Sequence, residues 1–405
     1  MDIPSWLNDV TVEQLETDPV PVYARLRREV GPLAFIPAFN HWFAITWESC
    51  SYVGQDPNNE FLGGTDPALE HVFGQPCVLS VDGDIHRDLR SMLDPYLRPR
   101  PVKSYIDPLT RPTVKKLISE FEEGSTVDLT SALFEPVSVR VVGDFLGYRD
   151  VDNDTLRRWF HGLSLGFSNK ALDEKGNILN PEGFRPSDEV SEEIRAITDP
   201  MIERLKKEPD DSGVSHWLHD GMPEGEVRPN EYIYPTLFTI LLGGMQEPGH
   251  LMGTVVYGLS TRPDQFERVL EDPSLVSTAI TEGLRWIAPI QCASSRRTAH
   301  DMELFGEKLD ADETIFMGFA SANHDETQFD NPSTYDMDRP PHPHMAWGAG
   351  RHACAGSNFA SEVTRIALEE LFTTFPRLEK DPDHEVPVRG FFFRGPAEFR
   401  AKLLR

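Results

Sequence analysis

The chain carries little positive charge for its size. Against 66 Asp and Glu it sets only 39 Lys and Arg, a formal net charge of −27 over 405 residues. Such an excess repels polyanions and excludes nucleic acid or an anionic membrane surface as a principal partner, while leaving room for a local basic patch. Long hydrophobic runs are missing as well: no apolar stretch reaches the roughly 18 residues of a membrane helix. The opening MDIPSWLNDVTVEQLE has neither the charged n-region and apolar run of a signal peptide nor a cleavage site. A cytoplasmic, soluble protein with no membrane partner is expected. Cysteine is scarce. Cys50, Cys77, Cys292 and Cys354 are scattered without a CxxC or CxxH pair, which signals neither a zinc site nor a disulfide framework. Linkers rich in Gly and Ser, low-complexity stretches and internal repeats are absent too, so one unit over residues 1–405 is expected. What is plentiful is phenylalanine: 24 residues, enough to suggest an aromatic-lined interior, although plain core packing accounts for most of them.

Apolar periodicity supplies the organisation. YARLRREV reads as a helix, and LAFIPAF and HWFAITW as two short paired strands. From about residue 101 to 260 the pattern is mostly helical, interrupted by NKALDEKGNILNPEGFRPSD, whose Gly, Pro, Asn and Asp predict a mobile flap. Helical segments continue over residues 261–290 and end at TEGLRW, before the Pro289 break. Strand-like runs around Glu303 to Phe316, an irregular Pro-rich meander and a Gly-rich loop lead into a last long helix, SNFASEVTRIALEELFTTF. The expected fold is mainly α with a minor β region.

The most specific chemistry lies in the loop Trp347-Gly-Ala-Gly-Arg-His-Ala-Cys-Ala-Gly356. Three glycines let backbone approach a flat ligand closely, and Cys354 sits just before a helix start. Exposed N–H groups there lower a thiol's pKa and tune a bound iron. Glu282-Gly-Leu-Arg285 places an acid and a base on one helical face, and with Arg339 of the meander it forms a plausible buried clamp. His86 and Arg90, four residues apart in GDIHRDLR, are placed to bind two propionates from one side, with Arg296 and His352 reaching them from another.

These four motifs, in their order along the chain, resemble the cytochrome P450 family along essentially the whole chain. Trp347 stands where the family usually has Phe. The resemblance implies the triangular helical fold, with haem b between the long central helix and the Cys-loop helix. It also implies Cys354 as axial ligand, Glu282, Arg285 and Arg339 as a structural triad, and reductive activation of O2.

The segment EYIYPTLFTILLGGMQEPGHLMGTVVYGLS reads as an apolar helix of about 30 residues, roughly 45 Å long. Gly243, Gly244 and Pro248 predict a kink that frees the carbonyl of Gly244 for water or oxygen. Where the family usually has an acid followed by an alcohol, this chain has Gln246 and Glu247. Glu247, a carboxyl in an apolar groove, is read as carrying or organising proton delivery through water; pairing with a distant cation is the competing reading. Together with SHWLHDGMP, EYIYPT and FRGP, this segment is similar to bacterial guaiacol and alkylguaiacol O-demethylases. That likeness implies a methoxyphenol substrate held by Phe73, Phe167 and Phe393, with Leu79, Leu242, Gly243, Ile290, Ala293 and Ser294 completing the wall. It implies O-demethylation to a catechol and formaldehyde, with electrons from NADH through a separate flavin and iron–sulfur reductase, since no flavin or nicotinamide domain occurs up to Arg405. Arg87, Arg98, Arg100, Lys103 and Arg351 are candidates for the docking patch, or simply a solvated face. A peroxygenase, a hydroxylase of another small hydrophobic substrate, and a haem sensor or carrier are the alternatives.

Overall fold

A computed structural model describes residues 4–405 apart from residue 293. Helices dominate and the sheets are small. The expected strand pair forms: β1 (Leu33–Ile36) runs antiparallel to β2 (His41–Ala44), with Leu33 opposite Ala44. These join β3 (Phe61–Gly63), β4 (Ser295–Thr298) and β5 (Thr314–Met317) in a five-stranded sheet of order β1-β2-β5-β4-β3. Its register sets Gly63 opposite Arg296. Only a glycine fits at position 63, because a Cβ would fall 2.4 Å from the carbonyl oxygen of Ser80.

The central helix, Asn230–Ser260, is apolar around its whole circumference and is accordingly buried along most of its length. It packs against the helices Glu135–Leu146, Asn153–Phe167, Val276–Trp286 and Ser357–Thr374. Helical structure runs from Asn230 to Ser260, through Gly243 and Pro248, where a kink was expected. The Ser138 hydroxyl on a neighbouring helix donates to the Met245 carbonyl at 2.7 Å and lies 3.4 Å from that of Gly244, the carbonyl that Pro248 has no N–H to bond. The carbonyl expected to stand free is therefore crowded by a protein hydroxyl.

The flap segment is also more structured than its composition suggests. Leu172 bridges Ile178 across a turn, Asn40 donates to the Asp173 carbonyl at 3.0 Å, and Asn169 donates to the Asn180 carbonyl at 2.8 Å.

Glu282 and Arg285 form a buried ion pair at 2.7 Å, and Arg339 reaches the same carboxylate at 3.1 Å. The two guanidinium groups also donate to the carbonyls of Asn323, Pro332, Thr334, Asn331 and Asp330. An irregular meander has few backbone bonds of its own, so these donors take the place of a sheet in holding residues 330–339 against the helix.

Candidate active site

The loop before the helix Ser357–Thr374 is shaped by glycine at two positions. Gly348 and Gly350 have φ of 69° and 70°, and a Cβ at Gly350 would fall 2.2 Å from the Gly54 carbonyl oxygen. The loop closes on itself through the Cys354 N–H, which donates to the Trp347 carbonyl at 2.8 Å, and Arg90 donates to the Ala353 carbonyl at 2.8 Å. Cys354 thereby presents its sulfur to an internal cavity. The residue is exposed only to that space, deep in the protein. Burial pushes its thiol up to about 11, while the N–H groups of Gly356 and Ser357 pull it down. The expectation that the helix start would lower the thiol thus holds for those two donors but not for the net direction in the metal-free protein.

The cavity brings together nearly all the residues expected at the site. Cys354, His352, Arg90 and Arg296 line it from the cysteine loop, the helix Gly83–Leu97 and β4. Leu242, Gly243, Gly244 and Glu247 line it from the central helix. Phe73, Leu79, Phe167, Ile290, Ser294 and Phe393 complete the wall. Two residues differ. Ala293 lies outside the described residues. His86 stands behind the wall, its ring 4.3 Å from that of His352, buried and with Nε2 lacking a partner.

The cationic end has one feature that calls for a ligand. Arg296 is 3% exposed, its Nε has no partner, and among the described residues no carboxylate pairs with it; its only bond is to the Ser295 carbonyl at 2.7 Å. Burial and the nearby charge of Arg351 lower its pKa to about 10. An uncompensated buried guanidinium is costly, so the site is built for an anion. His352 is held instead by Asp82, at 3.1 Å, and by the Val78 carbonyl, at 3.3 Å. Burial raises the Asp82 carboxyl, but His352, the Gly63 N–H and Arg351 together hold it well below its usual range. Sequence reasoning did not find Asp82; an isolated Asp before a glycine carries no signal of this role. Arg351 is a correction. Its guanidinium pairs with Asp82 at 2.7 Å and Asp56 at 2.8 Å and donates to the Phe61 carbonyl, so its charge is spent inside rather than offered to a partner. Arg87 is exposed and pairs with the equally exposed Asp84.

On the opposite wall, Glu247 is buried and neither carboxylate oxygen has a partner. It folds back along its own helix, with Oε2 3.2 Å from where a Cβ on Gly243 would stand. Burial without compensation drives its pKa well above the ordinary carboxylate value, which favours the protonated form. No cation pairs with it among the described residues. The aromatic wall is continuous: Phe73 and Phe167 stack with centroids 5.0 Å apart, and Phe167 and Phe393 lie 5.4 Å apart. A bridge between Ile290 and Phe393 ties the last ring to the strand-like turn after the clamp helix.

The model described as Cytochrome P450 matches residues 253–391. "Putative cytochrome P450 YjiB" of Bacillus subtilis is 26% identical over 386 residues, covering 95% of this chain and 94% of that protein. "Steroid C26-monooxygenase" of Mycolicibacterium smegmatis is 28% identical over 340 residues, covering 84% of this chain and 82% of that protein. Among solved structures, P450BioI in complex with acyl carrier protein superposes with a TM-score of 0.83 at 23% identity, covering 95% of this chain and 98% of that one. CYP109B1 from Bacillus subtilis gives 0.80 at 25% identity, covering 96% and 100%.

Proposed function

We propose that this chain is a cytochrome P450, a haem monooxygenase dependent on redox partner proteins and O2, and that it O-demethylates a small methoxyphenol, guaiacol or a 4-alkylguaiacol. The observation that carries the reading is the wall of mutually packed Phe73, Phe167 and Phe393 beside a neutral, unpartnered Glu247. Stacked and tilted rings favour a flat aromatic guest, each contact contributing about 0.5–1.5 kcal/mol beyond area burial.

The residues present fit a haem. Cys354, which lines the cavity, would hold the haem iron through its sulfur. Arg296, Arg90 and His352 gather at one end for two carboxylates, with the guanidinium of Arg296 awaiting an anion; His86 supports His352 by packing on it. When bound, the haem supplies reductive activation of O2 and insertion of one oxygen atom into a C–H bond. The protein supplies position and protons. The phenylalanines orient the ring so that its methoxy carbon faces the reactive centre, and Leu79, Leu242 and Ile290 exclude bulk water. Glu247 holds a proton on its carboxyl and passes it into the cavity, recharging through water. Hydroxylation of the methyl group leaves a hemiacetal, which collapses to a catechol and formaldehyde. The net reaction takes up one O2, two electrons and two protons and releases one water. Electrons from NADH through a separate flavin and iron–sulfur reductase complete the scheme.

The names of the relatives favour a second reading, hydroxylation of a steroid or lipid: one is a steroid C26-monooxygenase and another a methyl-branched lipid omega-hydroxylase. A substrate panel separates the two. Guaiacol and 4-alkylguaiacols are expected to shift the haem absorption band from low to high spin and to release formaldehyde in turnover. A shift with steroids or fatty acids alone overturns the O-demethylase assignment.

A further inference from the structure

Against the aromatic wall lies a buried ion pair that the proposed reaction does not use. Lys170 and Asp66 have side chains 0% and 2% exposed, and Lys170 Nζ donates to both carboxylate oxygens at 2.8 Å. The same ammonium sits 3.8 Å from the centroid of the Phe167 ring, with the rings of Phe316 and Phe392 at 5.6 and 5.8 Å. Asp66 has a second duty. Its Oδ1 accepts from the Leu69 N–H at 3.0 Å and so caps the helix Pro67–Phe73. One charge therefore ties together the start of the helix that ends in Phe73, the residue just beyond the helix that ends in Phe167, and the segment that carries Phe393.

An ion pair this deep is a poor way to gain stability, since desolvating both charges offsets their attraction and an apolar pair of similar volume often serves as well. What it provides is a fixed geometry. Lys170 has three donors and one carboxylate to satisfy them, and a cation over a ring face adds a directional attraction to Phe167. The contact between Phe73 and Phe167, at 5.0 Å, is thus held from behind rather than left to packing alone.

We propose that Lys170 and Asp66 are positioning residues for substrate selection: their ion pair sets the separation of Phe73 and Phe167 and with it the ring substituents the aromatic slot admits. The proposal rests on the reading that these rings hold the substrate. Its test uses the haem-loaded full chain and the double variant Lys170→Met/Asp66→Asn, which removes both charges together and keeps the capping oxygen, so that no lone buried charge unfolds the protein. Binding of guaiacol, 4-propylguaiacol, a steroid, a fatty acid and imidazole is titrated by the absorption shift, and amide hydrogen exchange is followed over residues 67–73. The expected result is faster exchange there and an affinity ratio between guaiacol and 4-propylguaiacol that changes about tenfold, while imidazole, which needs only the iron, binds within about twofold of wild type. An unchanged ratio overturns the proposal, whatever the exchange does, and leaves the pair a structural brace. If wild type shifts only with the steroid or fatty acid, the O-demethylase reading fails separately, and the positioning role is judged by the ratio of those two ligands.

Discussion

Two buried, uncompensated groups of opposite character line the cavity, and each makes a prediction of its own sign. Arg296 is charged and lacks a counterion, which costs stability until an anion arrives. Arg296→Met should leave the apoprotein as stable as wild type or more so, yet weaken haem retention by tenfold or more, about 1.4 kcal/mol; denaturation of the apoprotein and haem transfer to apomyoglobin measure the two halves. Glu247 is the reverse case, an acid kept neutral. Its folded pKa stands well above the ordinary carboxylate value, so between the two pKa values the native state binds more protons than the unfolded one. Stability from this group is complete below the unfolded pKa and is lost as pH rises toward the folded value. Glu247→Gln removes the titration. Thermal denaturation from about pH 5 to about pH 8 should show wild type losing ground steadily to the variant, and parallel curves would mean that Glu247 is ionised in the fold. In turnover the same variant should consume NADH with less formaldehyde formed per electron pair.

The central helix shows how an element can keep a residue that ought to break it. Pro248 removes one N–H, yet the helix continues, because the Ser138 hydroxyl supplies a donor to the carbonyls of Met245 and Gly244. Ser138→Ala leaves a buried acceptor without that donor and should destabilise the protein by about 1–3 kcal/mol, read as a fall in denaturation midpoint. It should also disturb the helix beside Gly243, where ligand binds, so a smaller absorption shift with guaiacol is expected alongside. The element scale is also where the sequence was most readable. The strand pair Leu33–Ile36 with His41–Ala44 and the helix Ser357–Thr374 follow from local alternation and 3.6-residue periodicity. The Cys354 loop was legible because its glycines, histidine and arginine act within ten residues. Asp82, Ser138 and Lys170 were not. Each works through a partner far along the chain: Asp82 on His352, Ser138 on Met245 and Lys170 on Asp66. A lone Asp, Ser or Lys has no spacing to betray it.

At the scale of the whole molecule, most of the negative charge is distributed over a surface that also carries one basic stretch. Arg98, Arg100 and Lys103 are exposed at the start of the helix Pro99–Ser119, and among the described residues none of the three has a salt-bridge partner. They follow directly on the helix Gly83–Leu97, whose Arg90 touches the Cys354 loop. With a net charge of −27, encounters with an acidic reductase are repelled everywhere except here, and the attraction is screened beyond a Debye length of about 8 Å at physiological salt. Reversing two of these charges, Arg100→Glu with Lys103→Glu, should therefore raise the apparent KM for the reductase by about tenfold and remove most of its dependence on ionic strength. Binding of guaiacol and the absorption spectrum should stay as in wild type, because neither residue lines the cavity. Stopped-flow reduction of the haem at several salt concentrations measures the effect directly, and an unchanged salt dependence would move the docking site to another face.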